Sequence, residues 1–248
     1  MTRVSIVVLW LLFAAGIALV AFAPATWLDR RVAAATAGRV RLNDAEGTVW
    51  RGRGAIVDSH GAWRIPIAWR IAPTPLLRGV LDIEFEPAQS DAPLGRVTLE
   101  DKSADLRNLR FRMPAAVLQS LSTVPLPLEP GGELVLDAAA FRYQPNQADG
   151  AFDVHWERAR LATPGSALDL GNVTAHVAPQ GSALVGTIAN AGGDARIDGD
   201  VAVSTNGVSL RANIAPGPGV PPDIARLLAA LGPTDSNGVV HVQWSVRN

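Results

Sequence analysis

Residues 194–214 read DARIDGDVAVSTNGVSLRANI, and this stretch decides the fold. Apolar and polar residues alternate from Asp194 to Ser204 and again from Val208 to Ile214. A period of two places successive side chains on opposite faces of a strand, one buried and one wet. Asn206-Gly207 stands between the two runs, and Asn-Gly is a strong signal for a tight turn between antiparallel strands. The stretch therefore predicts a β-hairpin.

The same alternation recurs along the chain from about Arg39 onward. Further strands are predicted near residues 48–58, 62–71, 79–86, 94–100, 105–111, 132–142, 151–161, 168–178, 182–190 and 240–246. Pro130-Gly131-Gly132, Gly192-Gly193-Asp194 and Asn237-Gly238 are typical of the turns that connect such strands. The pattern predicts a mainly β fold, an antiparallel curved sheet or sandwich.

Two short helices are expected to interrupt the strands. Pro114–Leu121 reads PAAVLQSL, and Pro114 is suited to the first helical position. The second, Asp223–Leu231, is followed by the helix-ending pair Gly232-Pro233. Its apolar residues at i, i+3, i+4 and i+7 form one stripe, made of Ile224, Leu227, Leu228 and Leu231. This stripe predicts a helix that closes one end of the β core, rather than a helix that binds a partner.

The N-terminal segment has a different pattern. Residues 4–23 read VSIVVLWLLFAAGIALVAFA, an uncharged run long enough to cross the roughly 30 Å hydrocarbon core of a bilayer. Trp27 follows at a plausible interface position. We interpret the run as a transmembrane anchor. A signal peptide cleaved after Ala21-Phe22-Ala23 is the main alternative, but the run exceeds the usual signal core and Pro24 would follow the cut. A buried core helix is the third.

The anchor suggests a layout for the whole chain. Residues 1–23 would form a cytoplasmic tip and the anchor, 24–38 a linker, and 39–248 a β-rich periplasmic domain. The pattern leaves open a division of that domain into 39–124 and 125–248. A short tail before a long C-terminal domain favours this single-pass orientation, although arginines flank the anchor on both sides.

Composition and motifs exclude several functions. The net charge is -1, without the basic face that nucleic-acid binding requires. The chain has no cysteine, so disulfides, thiolate metal sites and cysteine nucleophiles are excluded. The four histidines are not spaced to converge on a metal, and no acid–base, nucleophilic or phosphate-binding constellation is found. We therefore predict that the protein is not an enzyme and holds no metal or cofactor.

Tryptophan and arginine provide the candidate interaction surface. Trp50, Trp63 and Trp69 lie within twenty residues, and Arg51 and Arg53 accompany the first. Tryptophans in a β domain most often pack as core or cross-strand anchors. Because tryptophan and arginine are also favoured at binding hot spots, these five residues are the predicted contact surface for another protein.

Several short motifs, taken in order, resemble a known family. They are LNDAEGTVWRG at 42–52, IAWRIAPTPLLRG at 67–79, Leu134–Phe141, GAFDVHW at 150–156 and LLAALGPTDSNGVVHVQW at 227–244. With the single N-terminal anchor, this series resembles type II secretion system protein N of Gram-negative bacteria, also called general secretion pathway protein N. Each motif alone is weak, and their order and spacing carry the resemblance.

The resemblance implies an accessory protein of the machine that exports folded proteins across the outer membrane. It implies a single-pass inner-membrane protein with its bulk in the periplasm. The expected partners are inner-membrane subunits of the machine and the periplasmic part of the secretin. The sequence itself leaves two other functions open, a membrane-anchored groove that binds or transfers lipid and a periplasmic hydrolase. It does not identify the direct partner, the stoichiometry or the exported cargo.

Overall fold

The computed structural model describes residues 22–86, 94–121, 128–145, 147–163, 165–181, 183–204, 207–217 and 220–247. Within these ranges, no helix has the length and apolar character needed to cross a membrane. The predicted anchor at 4–23 lies outside the described residues, apart from its last two. The chain divides into two compact units, Met1–Pro93 and Leu94–Asn248, earlier than the possible division near residue 124.

The N-terminal unit is an antiparallel meander with two helices. Its strands are β1 (Val40–Gly47), β2 (Arg51–Asp58), β3 (Arg64–Ile71) and β4 (Val80–Glu86), each paired with the next. Helix α1 (Thr26–Ala35) precedes them, and the short α2 (Pro73–Leu76) connects β3 to β4. The structure thus places a ten-residue helix within the segment expected to be a linker.

The C-terminal unit is a longer antiparallel meander. Its strands are β5 (Gly95–Glu100), β6 (Ser103–Pro114), β7 (Glu129–Gln144), β8 (Gln147–Thr163), β9 (Ser166–Gln180), β10 (Ala183–Ala191), β11 (Ala195–Ser204), β12 (Gly207–Pro216) and β13 (Val240–Arg247). Within the unit each strand pairs with the next one in the chain. Helices α3 (Val117–Leu121) and α4 (Pro222–Leu231) complete the unit. The mainly β, antiparallel fold is confirmed, and within each unit the strands form a single sheet rather than a sandwich.

The structure confirms the predicted hairpin but not the predicted start of the first helix. The hairpin at 194–214 is confirmed, because β11 and β12 pair in register from Ala195↔Pro216 to Ser204↔Gly207. The start of the first predicted helix is wrong. Pro114 ends strand β6, where it pairs with Glu133, and the helix begins only at Val117. Proline is tolerated at a strand end, and here the pairing of β6 with β7 continues through it.

Each unit has its own core. In the N-terminal unit one face of β3 is buried, with Ile65, Ile67, Trp69 and Ile71 all below 9% exposed. In the C-terminal unit α4 packs Ile224 and Leu228, both fully buried, against residues of β8, β9, β11, β12 and β13. The predicted role of this helix, closing one end of the β core, is confirmed.

Helix α1 covers the outer edge of β1. The carboxylate of Asp29 accepts the Leu42 N–H at 3.0 Å and two hydrogen bonds from the Arg41 guanidinium, at 2.6 and 2.9 Å. The hydroxyl oxygen of Thr36 accepts the Val40 N–H at 3.2 Å. Outward donors of an edge strand invite pairing with another chain, and side-chain acceptors that occupy them prevent it. The first part of the β1 edge, from Val40 to Leu42, is therefore closed by its own chain.

We expect Asp29→Ala to lower the free energy of unfolding by about 1 kcal/mol at neutral pH, since Asp29 holds both a charge pair and a backbone donor. Arg41, and secondarily the Leu42 N–H, lower the pKa of the Asp29 carboxyl from 3.8 to about 2. Because the pKa of Asp29 is lower in the folded state than in the unfolded state, its charge stabilises the folded protein above pH 3.8. This contribution is lost as the pH falls toward 2.

Urea titrations at pH 7, 4 and 2.5 check this dependence. The difference between Asp29→Ala and the parent chain should shrink as the pH falls. Asp29→Asn is the matched control, because its amide oxygen still accepts the Leu42 N–H while the charge is removed. A difference that stays constant down to pH 2.5 would show that the carboxylate charge contributes nothing.

Candidate functional site

The first two motifs of the family resemblance, at 42–52 and 67–79, are called the signature motifs. The first contains the turn between β1 and β2. Gly47 pairs with Gly52 across this turn. The Thr48 N–H donates to the Arg51 carbonyl at 2.9 Å, and the Thr48 hydroxyl oxygen accepts the Arg51 N–H at 3.2 Å. Gly47 has φ +88, and a Cβ there would lie 2.6 Å from the Arg51 carbonyl oxygen. The Glu-Gly-Thr part of the motif is thus explained by turn geometry.

The second signature motif packs against the first through Trp69. The Trp69 indole is 3% exposed and donates its N–H to the Val49 carbonyl at 3.0 Å. Its ring covers Gly52, where a Cβ would lie 2.6 Å from the ring and from the Glu46 carbonyl oxygen. Only glycine allows this close approach. We call the sheet end formed by residues 46–52 and 67–79 the signature corner.

The five residues predicted as a contact surface fall into two groups. Trp63 and Trp69 are buried, at 7% and 3% exposure, so they pack as core residues. Trp50 is half-buried, and its carbonyl accepts the Ile71 N–H at 2.7 Å. Arg51 and Arg53 are exposed. Arg53 pairs with Glu46 at 2.6 Å, whereas Arg51 has no carboxylate partner in the part of the chain that the structure describes. Of the five, Arg51 is thus the residue that is both exposed and without a carboxylate partner among the described residues.

The edge of β13 was not singled out by the sequence. Residues 233–235 cover its first part, where the His241 N–H donates to the Pro233 carbonyl and the Asp235 N–H to the Val239 carbonyl, each at 2.9 Å. By alternation, the N–H groups of Gln243 and Ser245 point to the same side, away from β12. No strand within the described ranges pairs with them. Among the described residues, the edge of β13 at Gln243 and Ser245 is therefore open.

A line of bulges crosses β7, β8 and β9. Gly132, Arg158 and Gly171 lie at the irregular positions of the three strands, and all have positive φ. They border a polar cleft of about 740 Å³. Glu133 in this cleft pairs with Arg112 at 3.2 Å and Arg158 at 3.5 Å. Bulges bend strands and re-aim side chains, and these exposed, paired charges fit that structural role.

One face of the C-terminal sheet is apolar beyond the reach of α4. Register places Val177 opposite Gly186, which lies opposite Val201, which lies opposite Leu210, so these residues share a face. The half-buried or exposed apolar side chains of this region are Phe152, Leu184, Val201, Val203 and Leu210. None belongs to the cluster around α4. We call this region the open apolar face.

Three of the histidines each contact a different polar side chain. His176 contacts Asp153 at 2.7 Å, His241 contacts Asn213 at 2.8 Å, and His155 lies 3.4 Å from Thr174. Over the described ranges, no group of three or more potential ligands is placed to hold a metal. No buried side-chain polar atom there lacks a hydrogen-bond partner.

Comparison with known proteins now decides the family. The family model for type II secretion system protein N matches residues 38–243. The match runs from just before β1 into β13 and contains the whole signature corner. The chain belongs to this family. The resemblance drawn from the ordered motifs is thereby confirmed. Members of this family are components of the type II secretion machinery.

A curated relative supports the assignment to the protein N family. Type II secretion system protein N of Vibrio cholerae serotype O1 (strain ATCC 39315 / El Tor Inaba N16961) is 30% identical over 154 residues. The alignment covers 58% of this chain and 60% of the relative. The chain therefore spans less than two thirds of the relative's length in this match. No solved structure matches the chain.

Proposed function

We propose that this protein is an accessory, non-enzymatic component of the type II secretion machinery. Residues 4–23 anchor it in the inner membrane, and the two β units lie in the periplasm. There it supports the export of folded proteins across the outer membrane through contacts with other subunits. The family match supports the general role, and the uncharged apolar run supports the anchor.

The open edge of β13 suggests how the protein contacts another subunit. An extended segment of another subunit can add to an exposed edge through main-chain hydrogen bonds, while side-chain pockets give specificity. β1 is less suited to this role, because Asp29 and Thr36 occupy two of its outward donors, the N–H groups of Leu42 and Val40. Gln243 and Ser245 expose theirs. The partner proposed is an inner-membrane subunit of the machine or the periplasmic part of the secretin.

Crosslinking from single cysteines tests this contact. Gln243→Cys and Ser245→Cys, each in the full-length chain, are labelled in cells with a maleimide that carries a photoreactive benzophenone. Irradiation should then give adducts with a machine subunit, because the benzophenone inserts into C–H bonds and needs no thiol on the partner. The background is clean because the parent chain has no cysteine. An added strand places its side chains about 5 Å from those of β13, within reach of a short crosslinker.

The matched control is Asn43→Cys on β1. Asn43 is also exposed on an end strand, but α1 covers its edge. Adducts from Gln243→Cys and Ser245→Cys but not from Asn43→Cys would support strand addition at β13. A complete lack of adducts from both β13 positions, with the secretion machine present, would contradict it.

Lipid binding is a second candidate, favoured by the open apolar face. Val203 is 38% exposed, and the neighbouring apolar side chains are only half-buried. Neighbouring apolar side chains that stay partly exposed on one sheet face are typical of a binding site. The same surface could instead receive a protein. Stoichiometric phospholipid that stays with the purified full-length chain would favour the lipid function.

A further inference from the structure

The large exposed apolar residues of the N-terminal unit gather at one end of its sheet. Phe22 is 77% exposed, Trp27 50%, Leu76 36% and Leu77 87%. They are the large apolar side chains reported as exposed over residues 22–86. We call these four residues the apolar tip. Exposed apolar residues that cluster, rather than scatter, mark an interaction site.

Backbone hydrogen bonds place the tip at the signature corner. The Val49 N–H donates to the Ala23 carbonyl at 2.8 Å, and the Ala25 N–H to the Gly47 carbonyl at 3.1 Å. Residues 22–27 therefore begin beside the turn between β1 and β2. Antiparallel pairing brings the end of β3, and with it the loop that carries Leu76 and Leu77, to the same end of the sheet.

The chain enters the unit at this end. Ala23, the last residue of the predicted anchor, is itself bonded to the corner. If residues 4–23 span a bilayer, the signature corner is the part of the unit nearest to the bilayer surface. The opposite sheet end, which carries the turn between β2 and β3, lies one strand length away, about 25 Å for eight residues.

Charge at this end also suits a membrane surface. Arg51 and Arg78 are exposed at the corner, and neither has a carboxylate partner over the ranges that the structure describes. Arg30 and Arg31 of α1 are exposed as well. Trp27 is of the residue type enriched at membrane–water interfaces. Exposed leucine and tryptophan flanked by arginine favour the interface of anionic lipids over bulk water.

We infer that the apolar tip and its arginines rest in the headgroup region of the membrane that the anchor crosses. This inference rests on the proposed anchor. The contact orients the N-terminal unit with β2 and β3 rising from the membrane, instead of leaving it on a free tether. It also assigns a role to the exposed leucines of the second signature motif, which the turn and the Trp69 packing leave unexplained.

Fluorescence quenching in reconstituted membranes tests the contact. Leu77→Cys in the full-length chain is labelled with an environment-sensitive dye, and the protein is reconstituted into phosphatidylethanolamine vesicles that contain phosphatidylglycerol. A nitroxide-labelled phospholipid serves as the quencher. The matched control is His60→Cys at the turn between β2 and β3, because the His60 side chain, like Leu77, is almost fully exposed.

The dye at position 77 should show blue-shifted emission and be quenched severalfold more strongly than the dye at position 60. Equal emission and equal quenching at both positions, in protein that resists alkaline carbonate extraction, would overturn the contact and leave the anchor intact. Release of the full-length chain by carbonate would instead remove the anchor, and the contact with it.

Discussion

Trp69→Ala is expected to lower the free energy of unfolding by about 4 kcal/mol, the range found for large aromatic side chains in cores. The indole is 3% exposed and fills the space above Gly52. Its loss leaves a cavity that the neighbouring glycine cannot fill. It also leaves the Val49 carbonyl without its 3.0 Å hydrogen bond.

Urea unfolding followed by far-ultraviolet circular dichroism measures this loss, with the full-length chain in a mild detergent. Trp27→Ala is the matched control, because Trp27 is 50% exposed and should change the free energy by less than about 1 kcal/mol. Equal effects of the two substitutions would contradict the packing of the two signature motifs.

Leu228→Ala is expected to cost about 3 kcal/mol, within the range for fully buried leucines. Leu228 is completely buried in the cluster where α4 meets the sheet. Shortening it leaves a cavity against Leu168 and Val240 or their neighbours in the same cluster. Because α4 holds the end of the C-terminal core, the loss should also loosen the helix itself.

Amide hydrogen exchange and urea unfolding together separate these two effects. Protection of α4 should fall further than protection of β10. The control is Leu99→Ala, since Leu99 is 38% exposed on β5 and its truncation should cost less than about 1 kcal/mol. If the two leucines cost the same, α4 does not close the core in solution.

Much of the fold follows from local pattern, and the failures have physical causes. Alternation predicted β2 to β13. Strand β3 shows the physical basis, since its buried residues alternate with exposed or half-buried ones. Alternation did not predict β1 as a separate strand. Only Leu42 in that strand is buried, and the register shifts between Asn43 and Glu46. The sequence did not predict helix α1, because the apolar residues of Thr26–Ala35 form only a weak stripe.

The candidate site was only partly predictable, because its parts depend on register. The sequence located the tryptophan cluster and favoured core packing for it. It could not show that Trp69 lies over Gly52, seventeen positions earlier, because that contact requires the pairing of β2 with β3. The sequence also could not show that the edge of β1 is covered while part of the edge of β13 is open. Asp29 closes β1 from thirteen residues away.

Purification of the full-length protein from solubilised inner membranes, with mass spectrometry of proteins and lipids, tests the central claim most directly. The comparison is between Ser245→Pro, which removes an outward N–H from β13, and Ser245→Thr, which retains it. We expect secretion-machine subunits with the parent chain and with Ser245→Thr, and severalfold less of them with Ser245→Pro. Stoichiometric phospholipid without machine subunits, from the parent chain itself, would contradict the proposed role and favour the lipid-binding alternative.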